Sequence, residues 1–134
     1  SCKTPTIISL SGERKGTCYI SDDGNCFGTG SADGTYSTNE ACTFTFSDDT
    51  GFAVGRFDIY VQNNHCGHGY LMVDSAEYCS TSGPSDGSFT AGQQVTFTSS
   101  NYVGSLRPGF EICTGDPCVA STSPSDEGSD GNFY

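Results

Sequence analysis

The chain has 134 residues, of which 34% are hydrophobic and 16% charged, with 18 glycines and 8 cysteines. One domain is the default at this length, and no apolar run approaches the length of a membrane-spanning helix. The net charge of −11, from 16 acids against 5 bases, disfavours nucleic acid and anionic membrane surfaces as partners, and it suits solubility in an ion-rich extracellular medium.

In chain order, the opening "SCKTPTIISL" lacks the long apolar run of a signal peptide, as expected of a mature chain after cleavage. "TPTIISL", "SGERKG" and "TCYI" then read as a β-hairpin with a polar, basic turn, an extension over residues 1–17. "CTFTF" places Cys42, Phe44 and Phe46 on one face and Thr43 and Thr45 on the other. "RFDIYV" points Phe57, Ile59 and Val61 inward, "QVTFTSS" does so with Val95 and Phe97, and "GFEIC" with Phe110 and Ile112. Period-two alternation of aromatic and β-branched residues predicts half-buried strands. "YLMV", from Tyr70, is a continuous apolar run that predicts a strand covered on both faces. "SDDGN", "SADG", "SDDTG", "SGPSDG" and "LRPG" punctuate the strands as turns. Eight to ten short strands at about this spacing predict an all-β, antiparallel two-sheet sandwich or jelly roll over residues 18–113. Residues 114–134 read as a disulfide loop and an acidic Ser/Gly-rich tail, whose Phe133 and Tyr134 would offer aromatic anchors for docking.

No CxxC pair occurs, so zinc ribbons and thioredoxin-like motifs have no support. An even cysteine count in a small loop-rich chain predicts a disulfide framework, an oxidising compartment and secretion. Cys113 and Cys118 in "CTGDPC" close a tight loop and are expected to pair. The paired acids of "SDDGN" and "SDDTG" read as turn builders, and neither follows an EF-hand pattern. No Asn-x-Ser/Thr sequon is present, and "ASTSPS" has a composition suited to O-linked sugar.

Three blocks in order resemble the CUB domain family. "DGTYSTNEACTFTF" carries Tyr36, Asn39 and Cys42 of the family's opening, with Phe44 where a Trp is usual. "RFDIYVQNNHCGHGYLMV", followed by "EYCS", is similar to its central strand, loop, cysteine and strand. "VTFTSSNYVGSLRPGFEI" is similar to its closing hairpin. The resemblance covers roughly Cys18 to Cys113 and implies an extracellular, disulfide-stapled module that binds rather than catalyses. It also implies a Cys66–Cys79 bridge. Two pairings of the remaining four cysteines stay open: Cys2–Cys18 with Cys26–Cys42, or Cys2–Cys26 with Cys18–Cys42. With "GERKG" as a turn, Cys2 falls opposite Cys26, which favours the second, and Cys18–Cys42 has a separation close to the family's first bridge.

Many members of the family hold calcium with three acids. Those positions fall here near Tyr60, at Gly69 and at Asn101. An aromatic ring, a hydrogen and an amide are poor ligands for a hard cation, so loss of that site is expected, and no cofactor is implied. With Cys66 in a bridge its sulfur is no thiolate ligand. His65 and His68 then read as loop histidines, because no third ligand for zinc or copper is evident.

These readings predict a non-catalytic secreted module that binds an extracellular protein or glycan. Tyr60, His68, Asn101 and Tyr102 are the candidate contact residues, with Phe133 and Tyr134 in the tail, and Tyr70 reads as core. A self-assembling subunit of an extracellular fibre or matrix is the alternative, its hairpin or tail docking on a neighbour. A secreted hydrolase finds no local nucleophile signature.

Overall fold

The structure, a computed structural model, describes residues 6–115. It is a β-sandwich of ten strands: β1 (Ile8–Arg14), β2 (Tyr19–Ile20), β3 (Cys26–Gly30), β4 (Ala41–Phe46), β5 (Thr50–Asp58), β6 (Gly69–Val73), β7 (Ala76–Tyr78), β8 (Gly87–Phe89), β9 (Gln94–Ser99) and β10 (Gly109–Gly115). One 3-10 turn, Val103–Ser105, precedes β10. Sheet A runs β1-β4-β9-β6-β7 and sheet B runs β2-β3-β10-β5-β8. Every pairing is antiparallel.

Alternation decides which side chains meet between the sheets. Phe44, Phe46, Val95, Phe97, Leu71 and Val73 point in from sheet A, and Phe27, Phe110 and Ile112 from sheet B. The core is built on phenylalanine rather than leucine. Phe27 sits 4.7 Å from Phe44 and 5.9 Å from Phe110, ring centre to ring centre, the latter edge to face. Phe89 is stacked between Phe46 and Phe52 at 4.2 and 4.1 Å. Such ring pairs contribute beyond their buried area, which helps a chain with few aliphatic residues.

In β5 the inward side changes from even to odd positions. Thr50, Phe52 and Val54 face in before a bulge, and Phe57 and Ile59 after it. Val61 lies beyond the strand and is only half-buried. The bulge turns Arg56 outward opposite Glu111, and Glu111 lies opposite Gly28, which faces Tyr19. The Tyr19 hydroxyl reaches over Gly28 to donate to Glu111 Oε2 at 2.7 Å and accepts from Arg56 Nη2 at 3.1 Å. Burial and the Glu111 carboxylate raise the Tyr19 pKa.

The predicted N-terminal hairpin does not form. β1 is the edge of sheet A against β4, and β2 is the edge of sheet B against β3. Non-local burial outweighs the turn chemistry of "GERKG": Ile8 and Leu10 lie opposite Phe46 and Phe44 and pack on the core. A buried carboxylate then holds the crossover. Glu40, 1% exposed, accepts from Thr17 N (2.9 Å), Thr17 Oγ1 (2.7 Å), Ser37 N (2.6 Å) and Thr29 Oγ1 (2.5 Å). Gly16, with φ of +51°, passes so close that a Cβ would lie 2.6 Å from Glu40.

Three bridges are formed among the described residues: Cys18–Cys42, Cys26–Cys113 and Cys66–Cys79. The first and third match the expected pairings. The second replaces both Cys2–Cys26 and Cys113–Cys118, because β3 and β10 are neighbours with Cys26 directly opposite Cys113. Cys2 and Cys118 lie outside the described residues. "YLMV" is also corrected: Leu71 and Val73 enter the core, but Tyr70 and Met72 are half-exposed on the outer face of sheet A. Among the described residues no helix is long and apolar enough to cross a membrane.

Candidate functional site

Three connections meet at one end of the sandwich: residues 31–40, 59–68 and 100–108. Backbone hydrogen bonds tie them together. Tyr36 N donates to Arg107 O (3.0 Å), Asn39 N to Ser100 O (2.9 Å) and Ser100 N to His68 O (3.2 Å). Tyr36 is buried against Phe97 and its hydroxyl accepts from Tyr60 N at 3.2 Å. Burial raises the Tyr36 pKa, so the phenol stays protonated at neutral pH.

On this frame the rings of Tyr60, His68 and Tyr102 gather. Their centres are 5.7 Å apart for Tyr60–His68, 5.9 Å for Tyr60–Tyr102 and 4.9 Å for His68–Tyr102. The Arg107 guanidinium lies 5.1 Å over the Tyr60 ring, a cation–π placement. Of the three exposed large hydrophobic residues among those described, two are here: Tyr102 at 45% and Val103 at 73%. Asn101 is exposed beside them.

Thus three of the sequence-predicted contact residues, Tyr60, His68 and Tyr102, are brought into one cluster, with Asn101 at its edge. Phe133 and Tyr134 lie outside the described residues. Tyr70 is on the face of sheet A and not in the core. Gln62, Ser100 and Arg107 belong to the cluster and were missed. They are polar loop residues, and loops have no period from which their side could be read.

His68 is held on both nitrogens. Nε2 lies 2.6 Å from Gln62 Oε1, which can only accept, so Nε2 carries the proton. Nδ1 lies 3.2 Å from Ser100 Oγ. Serine, imidazole and an orienting group are the ingredients of an activated nucleophile. Two details weaken it. The orienting group is a neutral amide, which stabilises an imidazolium less than a carboxylate does, and Ser100 Oγ already accepts from Tyr102 N at 3.2 Å. His65 is exposed, and its backbone bridges to Gln62.

Tyr60, Gly69 and Asn101, the positions at which the resemblance would place calcium ligands, carry a ring, a buried glycine and an exposed amide. Gly69 is buried with φ of +153°, and a Cβ there would lie 3.1 Å from Thr98 O. Two clusters elsewhere have metal-like spacing, Cys18 with Glu40 and Cys42, and Cys26 with Glu111 and Cys113. In each the sulfurs are bonded to one another, which leaves one carboxylate as donor.

Comparison with protein-family models, curated proteins and solved structures gave no match.

Proposed function

We propose that the protein is a non-catalytic, CUB-like recognition module of the extracellular space that binds a protein or glycan through the Tyr60, His68, Tyr102 and Arg107 end. The single observation that carries this reading is that cluster: three rings and a guanidinium at one end, with Tyr102 and Val103 projecting beyond it. Tyrosine and arginine dominate recognition surfaces because each combines large apolar area with a polar handle at low conformational cost. The loops are tied to one another and to the core through Tyr36, so little ordering entropy is lost on binding. Two five-stranded antiparallel sheets with bridges Cys18–Cys42 and Cys66–Cys79 are in keeping with the family resemblance. The bridges suit an oxidising compartment.

The test uses labelled protein on a printed glycan array and in crosslinking to secreted proteins through a photoreactive residue at Val103. A ligand lost by a Tyr60→Ala/Tyr102→Ala variant of unchanged circular dichroism supports the reading. A ligand retained by that variant overturns it. The second reading, self-association, is favoured by Ile7, 67% exposed just before β1. A mass that rises with concentration in light scattering, and returns to monomer with Ile7→Lys, would select it.

A further inference from the structure

A different face of the molecule carries a second feature. Thr43 and Thr45 on β4 and Thr96 and Thr98 on β9 all point outward from sheet A, with Thr43 opposite Thr96 and Ala41 opposite Thr98. Threonine is a common solvent-side strand residue, so its presence alone decides nothing. What decides is the shape of the face they share. All four are half-exposed and turn their hydroxyls to solvent, unlike the buried Thr29, Thr50 and Thr114, whose hydroxyls are bonded within the fold.

The face is also hollowed. β1 carries one extra residue between Ser11 and Arg14 relative to β4. Gly12 sits in that bulge at φ of +135°, where a Cβ would lie 2.2 Å from Ala41 O, so only glycine fits. With glycine and alanine at its edge, a groove of about 320 Å³ opens, whose lining includes Gly12, Glu13, Ala41, Thr43, Thr96 and Thr98. That is the small end of the range for ligand sites. Tyr70, half-buried, lies opposite Thr98 on the next strand and extends the same face.

Charge and hydrogen bonding select the occupant. The floor is uncharged in a protein of net charge −11, and the one charged lining residue is Glu13 at the rim. Polyanions are repelled, and one carboxylate is too little for a hard cation. A purely apolar ligand would strip water from threonine hydroxyls without replacing it. A neutral sugar matches: its hydroxyls donate and accept against threonine, vicinal hydroxyls donate to the Glu13 carboxylate, and its C–H face lies on threonine methyls and Ala41. We propose that this groove binds a short stretch of neutral glycan. It shares no lining residue with the Tyr60–Tyr102 cluster, so its failure and the failure of that site are separable.

The test is a titration of isotope-labelled protein, followed by amide chemical shifts, with neutral gluco-, manno- and chito-oligosaccharides and a heparin fragment as anionic control. The expected result is saturable shifts at Gly12, Glu13, Ala41, Thr43, Thr96 and Thr98 with at least one neutral sugar. A Thr43→Val/Thr96→Val variant should bind about tenfold or more weakly, the loss of two hydrogen bonds. Glu13→Gln should weaken binding, and Tyr102→Ala should leave it unchanged. The proposal is overturned by no response to any neutral sugar at millimolar concentration, by shifts confined to residues 59–68 and 100–108, or by preference for heparin. Unchanged affinity in the double valine variant also overturns it, as does broadening of the groove amides with protein concentration alone, which would assign the face to a second copy.

Discussion

Replacing Glu40 tests how the two sheets are joined at the crossover. Its carboxylate accepts from two backbone amides, Thr17 N and Ser37 N, and from the hydroxyls of Thr17 and Thr29. In Glu40→Ala the hydroxyls can turn to one another, since Thr17 Oγ1 and Thr29 Oγ1 are already 2.8 Å apart. The two amides have no such recourse, and each orphaned donor costs about 1–3 kcal/mol. The emptied side-chain volume adds about 1 kcal/mol, and relief from desolvating a carboxylate offsets part of the sum. The net expectation is a loss of about 3–5 kcal/mol, a large fraction of the stability of a domain this size. Glu40→Gln keeps an oxygen for the Thr17 and Ser37 donors and offers its NH2 to the Thr29 hydroxyl. It should lose only charge assistance, about 1–2 kcal/mol. Guanidinium unfolding under non-reducing conditions, extrapolated linearly to water, measures both. A Glu40→Ala variant within about 1 kcal/mol of the parent, or a glutamine variant as unstable as the alanine one, would refute the argument.

Other expectations concern the bridges, pH and reactivity. Cys26–Cys113 closes a separation of 87 residues and Cys66–Cys79 one of 13, so paired serine substitutions should cost about 4–5 and about 3 kcal/mol, with the order read from unfolding midpoints; the reverse order would reject the chain-entropy account. Tyr19 and Tyr36 both have raised pKa values. A phenol that holds its proton more tightly when folded contributes stability fully present below the unfolded value of 10.0, and that contribution is lost as pH rises through the folded value. Ultraviolet phenolate titration should show late-ionising phenols that disappear in Tyr19→Phe and Tyr36→Phe. A fluorophosphonate probe should leave Ser100 unlabelled; stoichiometric labelling blocked by His68→Ala would overturn the non-catalytic reading.

What could be read from the sequence followed from local periodicity. "CTFTF" and "QVTFTS" alternate without interruption, and their burial patterns in β4 and β9 follow that alternation. "RFDIYV" misled at its far end because the strand stops at Asp58. The hairpin at "SGERKG" failed for another reason: its turn chemistry is local, whereas Phe44, Phe46 and Glu40, which capture the two arms, are distant in sequence. Cys26–Cys113 was hidden in the same way, since only the pairing of β3 with β10 brings those sulfurs together. At the candidate site, Tyr60, His68 and Tyr102 were reached through resemblance. Their partners Gln62, Ser100 and Arg107 depend on how three loops converge, which no one-dimensional pattern encodes.

The strands that border the sandwich differ sharply in length. β2 has two residues and β7 and β8 three each, while β1 has seven. Borders that short give an extended chain too few amides to grip. Even β1 keeps regular pairing only over Ile8, Leu10 and the serines between and after them, before Gly12 throws it out of step. Among the described residues, aggregation by strand stacking therefore has one brief berth, the first four residues of β1.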